Sequence, residues 1–169
     1  MADHDSGTFR EKHDGLLSGG LDVRLWLRLL SCSTIVEKRL RRRLADEFDT
    51  TLPRFDVLAA LERRPDGMSM GELSTALLVS NGNLTVLVRQ LQAQGLATLR
   101  PAPTDRRSQV VALTPAGAEQ FATFARAHHQ WVSGMFAGMP VEKREQLFDL
   151  LAIMKRSIAA EDRQTSPRQ

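Results

Sequence analysis

Residues 80–117 read SNGNLTVLVRQLQAQGLATLRPAPTDRRSQVVALTPAG, and they carry most of the information about the architecture. Small polar side chains at the start of this stretch precede an apolar stripe, which predicts an amphipathic helix. Residues 97–100 and 109–113 are short enough to pair as the strands of a hairpin. The hairpin tip, residues 103–107, carries two adjacent arginines. Thr114-Pro115 then predicts an N-cap and the first turn of another helix.

The residues just before this stretch predict a second short helix and a tight turn. Ser69 and Glu72 have the spacing of a capping box, in which each residue satisfies a backbone amide near the helix start. A turn at Leu78-Val79 follows, and Ser80 is suited to cap the next helix, which stops at Gly95. Two short helices joined by such a turn make a helix-turn-helix.

The combination of these elements indicates DNA binding. A helix that begins with small polar side chains can place its amino end in a major groove while its apolar back packs on a core. A basic hairpin beside that helix suits phosphates or the minor groove. The predicted fold class is therefore mainly α with a small β wing, a winged helix-turn-helix.

Both ends of the chain predict long helices. Residues 21–48 place apolar side chains at steps of three or four, which predicts one amphipathic helix about 40 Å long. Residues 114–136 and 140–160 predict two more helices, and we expect all three to form a dimer interface. The predicted organisation is a disordered tail at residues 1–20, a winged-helix domain at residues 21–160 with its DNA-binding unit at residues 53–113, and a short tail at residues 161–169.

Composition excludes several classes of protein. The chain has 169 residues and a net charge of only +3, which suits one globular domain and is a weak signal for nucleic acid. The single Cys32 excludes an intrachain disulfide, and no apolar run is long enough to span a membrane. The acidic first 20 residues do not resemble a secretory signal, so we expect a cytoplasmic protein. No glycine-rich phosphate loop or recognisable nucleophile indicates an enzyme, and no cofactor is expected.

The order of predicted elements resembles that of the MarR family of winged-helix regulators. The resemblance covers about residues 21–158 and rests on three strings, which are Met70-Gly71-Glu72-Leu73, Ser80-Asn81-Gly82-Asn83-Leu84-Thr85, and Thr104-Asp105-Arg106-Arg107-Ser108 with Leu113-Thr114-Pro115-Ala116-Gly117. The last string is the most specific, because the family's wing has Asp-x-Arg followed by a Leu-Thr helix start. The resemblance implies a homodimeric repressor that binds double-stranded DNA at an inverted repeat and is released by a small ligand.

The second helix of the predicted helix-turn-helix, which Ser80 caps and which we call the recognition helix, supplies the first group of candidate DNA contacts. Asn81 and Asn83 can pair with base edges, since an amide offers both a donor and an acceptor. Ser80 and Thr85 are better suited to phosphate oxygens, and Arg89 could reach either. Ser80 and Asn83 could instead simply cap the helix, and for Ser80 we expect both roles.

The wing supplies the second group. Arg107 is the candidate for the minor groove, Arg106 for a phosphate, and Arg100 belongs to the same basic cluster. The resemblance implies that Asp105 braces the arginine rather than touching DNA. Arg54 and Ser69 open helices that we expect to face the DNA backbone.

The effector is expected to be a small aromatic anion or an aromatic thioester. Arg24, Trp26 and Arg28 offer cationic and aromatic surface, and His128 could hydrogen-bond the ligand. The strings Arg24-Leu25-Trp26-Leu27-Arg28-Leu29-Leu30 and Thr51-Leu52-Pro53-Arg54-Phe55-Asp56 resemble the branch of the family that governs catabolism of aromatic acids or their coenzyme A thioesters. The alternative is that Arg24 and Arg28 form a solvated stripe while Trp26 packs at the dimer edge.

Other triggers and classes remain as alternatives. The resemblance implies that Cys32 could sense oxidants, since part of the family does so through a cysteine in this helix whose thiolate is stabilised by tyrosines. This chain has no tyrosine, and Cys32 falls on an apolar stripe, so we expect a packed thiol. Metal sensing is disfavoured because His128 and His129 are adjacent and diverge by about 100° in a helix. Two further alternatives are a small enzyme built on the same helices and an architectural DNA-binding protein that has no effector.

Overall fold

The computed structural model describes residues 20–101 and 109–165. Within these ranges the protein has six helices and three strands, which confirms the mainly helical fold with a small β wing. The elements in chain order are α1 (Leu21–Phe48), α2 (Leu52–Glu62), β1 (Met68–Ser69), α3 (Met70–Leu77), α4 (Asn81–Ala93), β2 (Ala97–Pro101), β3 (Gln109–Leu113), α5 (Pro115–Phe136) and α6 (Val141–Thr165).

The sheet contains one strand that the sequence did not predict. The strand order is β1-β3-β2 with antiparallel pairing throughout, and Met68 lies opposite Val111 while Ala97 lies opposite Leu113. β1 has two residues, which is too short to show an alternating pattern. Gly67 brings the chain to β3 with φ +84°, and a Cβ atom at this position would lie 2.5 Å from the Val111 carbonyl oxygen. The close approach of two backbones therefore requires glycine.

The chain divides into two compact units, residues 1–128 and residues 129–169. The core of the first unit joins the helix-turn-helix to α2 and the sheet. Its most buried side chains are Leu44, Val57, Leu58, Leu61, Leu73, Leu84, Leu91 and Val111. α2, α3 and α4 each turn one apolar stripe toward this core, so the recognition helix α4 is held from behind.

Only the last part of α1 is buried in the protomer. Leu40 and Leu44 are buried, whereas the apolar stripe nearer the helix start is left open, with Leu25 exposed. Cys32 is also exposed, so the expectation of a packed thiol is wrong for the single chain. The spacing identified an apolar face correctly, but spacing does not say which partner covers that face.

The second unit contains the end of α5 and all of α6. Val132 and Phe136 line an apolar groove together with Leu147, Phe148 and Leu151. α6 extends to Thr165, five residues beyond its predicted end at residue 160. The extension is explained by Ala159, Ala160 and Glu161, which favour helix, and by the position of the next proline at residue 167. No helix among residues 20–101 and 109–165 is long and apolar enough to cross a membrane.

The turn between α3 and α4 is closed by a leucine in an unfavourable conformation. Leu78 has φ 55° and ψ 38°, and its side chain is 91% exposed. Its backbone amide donates to the Ser74 and Thr75 carbonyls, and the Ser74 hydroxyl donates to the Val79 carbonyl at 2.6 Å. The left-handed region costs a leucine roughly 1–2 kcal/mol, and here the exposed side chain gains little packing in return.

We therefore expect Leu78→Asn to raise the free energy of unfolding by about 0.5–1 kcal/mol, because asparagine tolerates the left-handed region better. Urea denaturation at a constant protomer concentration measures the change. Val86→Asn is the matched control, since Val86 is also an exposed apolar residue but lies inside a helix. A loss of stability in Leu78→Asn, with the control unchanged, would show that the leucine side chain contributes packing that outweighs the strain.

Candidate nucleic-acid interface

The amino end of α4 is open to solvent. Ser80 occupies the N-cap position with extended backbone angles (φ −70°, ψ 148°), as predicted, but its hydroxyl makes no capping hydrogen bond to the described helix. Asn81, Gly82 and Asn83 are exposed. The first amides of a helix have no intrahelical acceptor and carry the positive end of the helix dipole. This end of α4 therefore offers both backbone donors and side-chain amides to an anionic partner.

The opposite face of α4 is anchored in the core. Leu84, Val88 and Leu91 are 2% exposed or less. The outward face carries Asn83 and, one turn later, Val86, which is 56% exposed. Sequence reasoning missed Val86, because an apolar residue in a helix is assigned to the core by default. The sequence does contain a signal for its exposure, because Val86 falls outside the spacing of residues 84, 88 and 91 that defines the buried stripe.

Two side chains predicted to contact DNA form hydrogen bonds within the protein. The Thr85 hydroxyl donates to the Asn81 carbonyl at 2.8 Å, so its proton is already used inside the helix. Ser69 and Glu72 form the predicted capping box, with the Glu72 amide donating to Ser69 Oγ at 3.2 Å and the Ser69 amide donating to Glu72 Oε2 at 2.7 Å. These bonds lower the pKa of Glu72. The capping box is therefore confirmed; it uses Ser69 Oγ as an acceptor, and the contact of this hydroxyl with the DNA backbone stays a prediction.

The arginines lie at different places around α4. Arg89 is exposed on the same helix, two turns after Asn81. Arg100 is exposed on β2 and donates from Nη2 to the Asp66 carbonyl at 2.8 Å. Arg54 donates from Nη2 to Oε1 of Gln94, the residue that ends α4. Arg54 therefore lies at the opposite end of α4 from Asn81, about 20 Å along the helix, and the structure does not bring it to the open amino end.

The wing tip lies outside the described residues. β2 and β3 are paired as far as Pro101 and Gln109, as predicted for the hairpin. Asp105, Arg106 and Arg107 belong to residues 102–108, and their roles stay predictions.

The predicted ligand residues are not gathered in one place. Trp26 is 57% exposed near the start of α1, and Arg24 and Arg28 are exposed beside it. His128 instead stacks on Phe55, with ring centroids 4.6 Å apart and planes 23° apart. His128 and Phe55 line a cavity of about 590 Å³ to which none of the three α1 residues contributes. Within one chain the three α1 residues are thus not part of the cavity around His128, and their role in ligand binding stays a prediction.

The cavity around His128 has its own cations, which sequence reasoning missed. Its lining comes from α2, from the start of the sheet, from α3 and from α5, and comprises Phe55, Asp56, Ala59, Ala60, Arg63, Arg64, Met68, Ala76, Leu77 and His128. Burial raises the pKa of Asp56, and Glu37 raises it further while Arg41 opposes this. Arg64-Pro65-Asp66-Gly67 is a sequence typical of a turn, and nothing in the spacing of Arg63 and Arg64 connects them with His128. The cavity therefore combines two guanidinium groups, an aromatic pair and apolar side chains.

Among the described residues, no group of three or more histidine, cysteine, aspartate or glutamate side chains is placed to hold a metal ion.

The structure presents an open recognition helix, a wing with paired strands, and a basic, partly aromatic cavity beside α3. This combination defines a winged helix-turn-helix DNA-binding protein.

Comparison with known proteins places the chain in a family. The MarR family profile matches residues 48–108. The transcriptional activatory protein BadR of Rhodopseudomonas palustris is 35% identical over 120 residues, which is 68% of this chain and 68% of that protein. A MarR family transcriptional regulator from Silicibacter pomeroyi superimposes with a TM-score of 0.70 at 33% identity, covering 81% of this chain and 94% of the other.

A second solved structure shows the same fold at greater distance. Sco3205 of Streptomyces coelicolor, a MarR family regulator solved in complex with DNA, superimposes with a TM-score of 0.72 at 22% identity, covering 80% of this chain and 86% of the other. The chain belongs to the MarR family. It is a transcriptional regulator that binds DNA, and it is not an enzyme.

Proposed function

We propose that the protein acts as a homodimer on an inverted-repeat operator. Each chain supplies one recognition helix, so two half-sites require two copies. Apolar surface near the chain's two ends supports the pairing. Leu21 at the start of α1 is 76% exposed, and Phe148 on α6 is 75% exposed. Apolar surface of this kind commonly marks an interface between protein chains.

The open amino end of α4, backed by its buried leucines, is the observation that carries this proposal. We propose that Asn81 and Asn83 bind base edges, that Val86 contacts a thymine methyl group, and that Ser80 and the free amides bind phosphate. Arg89 follows on the same face. In the wing we propose Arg107 for the minor groove, Arg106 for a phosphate and Asp105 as the brace, on the strength of the family resemblance.

Operator selection followed by footprinting tests the proposal directly. The expected result is two protected half-sites related by two-fold symmetry, about one helical turn apart. Light scattering should give twice the chain mass at micromolar concentration. A single unpaired half-site, or a chain that remains monomeric on the selected operator, would contradict the proposal.

We further propose that bound protein represses transcription, because a dimer covering a promoter-proximal operator excludes the polymerase. The relative from Rhodopseudomonas palustris is named an activatory protein, so the direction of regulation needs its own test. Expression of a reporter gene that carries the selected operator should rise when the gene for this protein is deleted. A fall in expression would indicate activation instead.

The cavity around His128 is the proposed effector site. Arg63 and Arg64 can pair with a carboxylate or with the phosphates of a coenzyme A thioester, while Phe55 and His128 present ring faces to an aromatic group. α3 contributes Ala76 and Leu77, so a ligand here contacts the first helix of the helix-turn-helix. A ligand that prefers one placement of α3 would shift the protein away from its DNA-binding arrangement. We propose an aromatic acid or an aromatic acyl thioester as this ligand.

A thermal-shift screen of aromatic acids and acyl thioesters tests the effector site, since a ligand that binds the folded state raises the melting temperature. The double variant Arg63→Gln, Arg64→Gln should lose the shift. Arg156→Gln, which removes a cation from exposed α6 surface, should keep it. An undiminished shift in the double variant would place the ligand elsewhere.

Oxidant sensing remains a second candidate because Cys32 is exposed in the protomer. Under this alternative, peroxide should weaken operator binding, and Cys32→Ser should abolish the effect. Peroxide resistance of operator binding in the wild type would exclude it.

A further inference from the structure

Gly82 lies on the outward face of the recognition helix, and the fold gives no reason for a glycine there. A Cβ atom at Gly82 would meet nothing within 4 Å, whereas one at Gly117 would overlap the Leu96 carbonyl oxygen. The φ angle of Gly82 is not positive, unlike that of Gly67. Glycine is also less favourable than alanine in a helix. The missing side chain at Gly82 therefore calls for a reason outside the protomer.

Gly82 and Val86 lie on one line of this outward face. They are four positions apart in α4, which places them about 6 Å from each other along the helix axis. Val86 is 56% exposed, and it lies about 160° around the helix from the buried Leu84. An open space one turn before an exposed valine makes a shallow apolar recess, which we call the 82–86 recess.

Polar side chains flank the 82–86 recess on both sides. Asn83 comes three positions before Val86 and Arg89 three positions after it, so each diverges from Val86 by about 60°, in opposite directions. Both side chains are exposed. The recess therefore has an amide on one side and a guanidinium on the other, while Gly82 and Val86 put no hydrogen-bonding side chain along its centre.

An apolar centre of this kind matches one group on the base edges of duplex DNA. In the major groove the C5-methyl of thymine is the apolar group, whereas guanine, adenine and cytosine present hydrogen-bonding atoms. Val86 offers these atoms no partner, and burying a polar atom without a partner is unfavourable. The centre of the recess therefore favours thymine, while the Asn83 amide beside it is suited to adenine.

We propose that the 82–86 recess holds the C5-methyl group of one thymine in each operator half-site. The methyl group enters the space above Gly82 and contacts the Val86 side chain, and the missing Cβ lets the helix backbone come close to the base edge. This contact rests on the proposed entry of α4 into the major groove, and it adds the base at which the helix is positioned. Discrimination at this base comes from shape rather than from a hydrogen bond.

Replacement of thymine by deoxyuridine tests the contact, because it removes the C5-methyl group and leaves the hydrogen-bonding edge of the base unchanged. Each thymine of the selected operator is replaced in turn, together with its symmetry mate in the other half-site, and affinity is measured by mobility shift. One of these replacements should weaken wild-type binding roughly tenfold, since two buried methyl groups are lost. Val86→Ala should bind the unmodified operator more weakly and should respond less to the same replacement.

Gly82→Ala adds to the protein the methyl group that deoxyuridine removes from the DNA. Its Cβ atom has free space in the protomer but occupies the place of the thymine methyl, so affinity for the unmodified operator should fall roughly tenfold or more. Deoxyuridine at the position found with the wild type should restore much of this affinity. Gly71→Ala is the matched control, because Gly71 is also the exposed second residue of a helix with nothing within 4 Å of its Cβ position. The control should keep the wild-type preference for thymine.

Three results would overturn the proposal. They are a wild-type affinity that no deoxyuridine replacement lowers, an unchanged affinity of Gly82→Ala for the unmodified operator, and a loss in Gly82→Ala that deoxyuridine does not relieve. Failure of the proposed function would look different, because wild-type footprints on the unmodified operator would then lack the two protected half-sites.

Discussion

Gly117→Ala is expected to lower the free energy of unfolding by about 3 kcal/mol, the upper end of the usual cost of overpacking. A Cβ atom on Gly117 would overlap the carbonyl oxygen of Leu96. This oxygen belongs to the backbone and accepts from the Thr114 amide, so it cannot move aside by changing a rotamer. The Gly117 amide also donates to Thr114 Oγ1 at 2.9 Å, and Thr114 Oγ1 donates to the Gly95 carbonyl at 2.6 Å, which ties the first turn of α5 to the residues that follow α4.

Urea denaturation of Gly117→Ala and wild type at one protomer concentration measures the loss, since dimerisation makes stability depend on concentration. Gly71→Ala is the matched control. Gly71 also lies in the first turn of a helix, but a Cβ atom there would meet nothing within 4 Å. The control should be neutral or more stable by up to about 1 kcal/mol, because alanine favours helix over glycine. An equal change in the free energy of unfolding for the two variants would show that the first turn of α5 does not pack against Leu96 in solution.

Asn83→Ala is expected to weaken operator binding by about 30-fold or more, because a bidentate contact to one base is worth about 1–3 kcal/mol and the dimer loses one such contact in each half-site. Asn83 is exposed on the outward face of α4, two residues after the first helical residue. Its loss should not change stability, because the residues that hold α4 are Leu84, Val88 and Leu91 on the other face.

The measurement compares the selected operator with an unrelated duplex over a salt series. Loss of a base contact lowers affinity for the operator alone and leaves the slope of log affinity against log salt unchanged. Gln92→Ala is the control, since Gln92 is exposed on the same helix about 14 Å farther along. An equal loss on both duplexes, with a shallower salt slope, would mean that Asn83 binds backbone rather than a base.

Local chemistry made several features predictable. The Ser69–Glu72 capping box, the stop at Gly95 and the start of α5 at Thr114-Pro115 each depend on residues within four positions of one another. The buried stripe of α4 was equally readable, because helical periodicity alone groups Leu84 with Val88. These signals were sufficient for the order of the helices and for the amino end of α4.

Other features required contacts that no local pattern encodes. Arg54 and Gln94 are 40 positions apart, and their hydrogen bond places Arg54 beside a cavity at the far end of α4, while its contact with the DNA backbone stays a prediction. His128 joined Phe55 and the arginines at the end of α2 rather than the cations of α1.

The amino-acid order was therefore enough to specify the helices, their caps, the hairpin and the polar start of the recognition helix. These depend on backbone torsions, hydrogen bonds over three or four residues and the period of apolar side chains. Three-dimensional packing settled which side chains share a cavity and which arginine lies away from the amino end of α4. Such relations join residues far apart in the chain, and they follow from the mutual placement of α2, α4 and α5 rather than from any short segment.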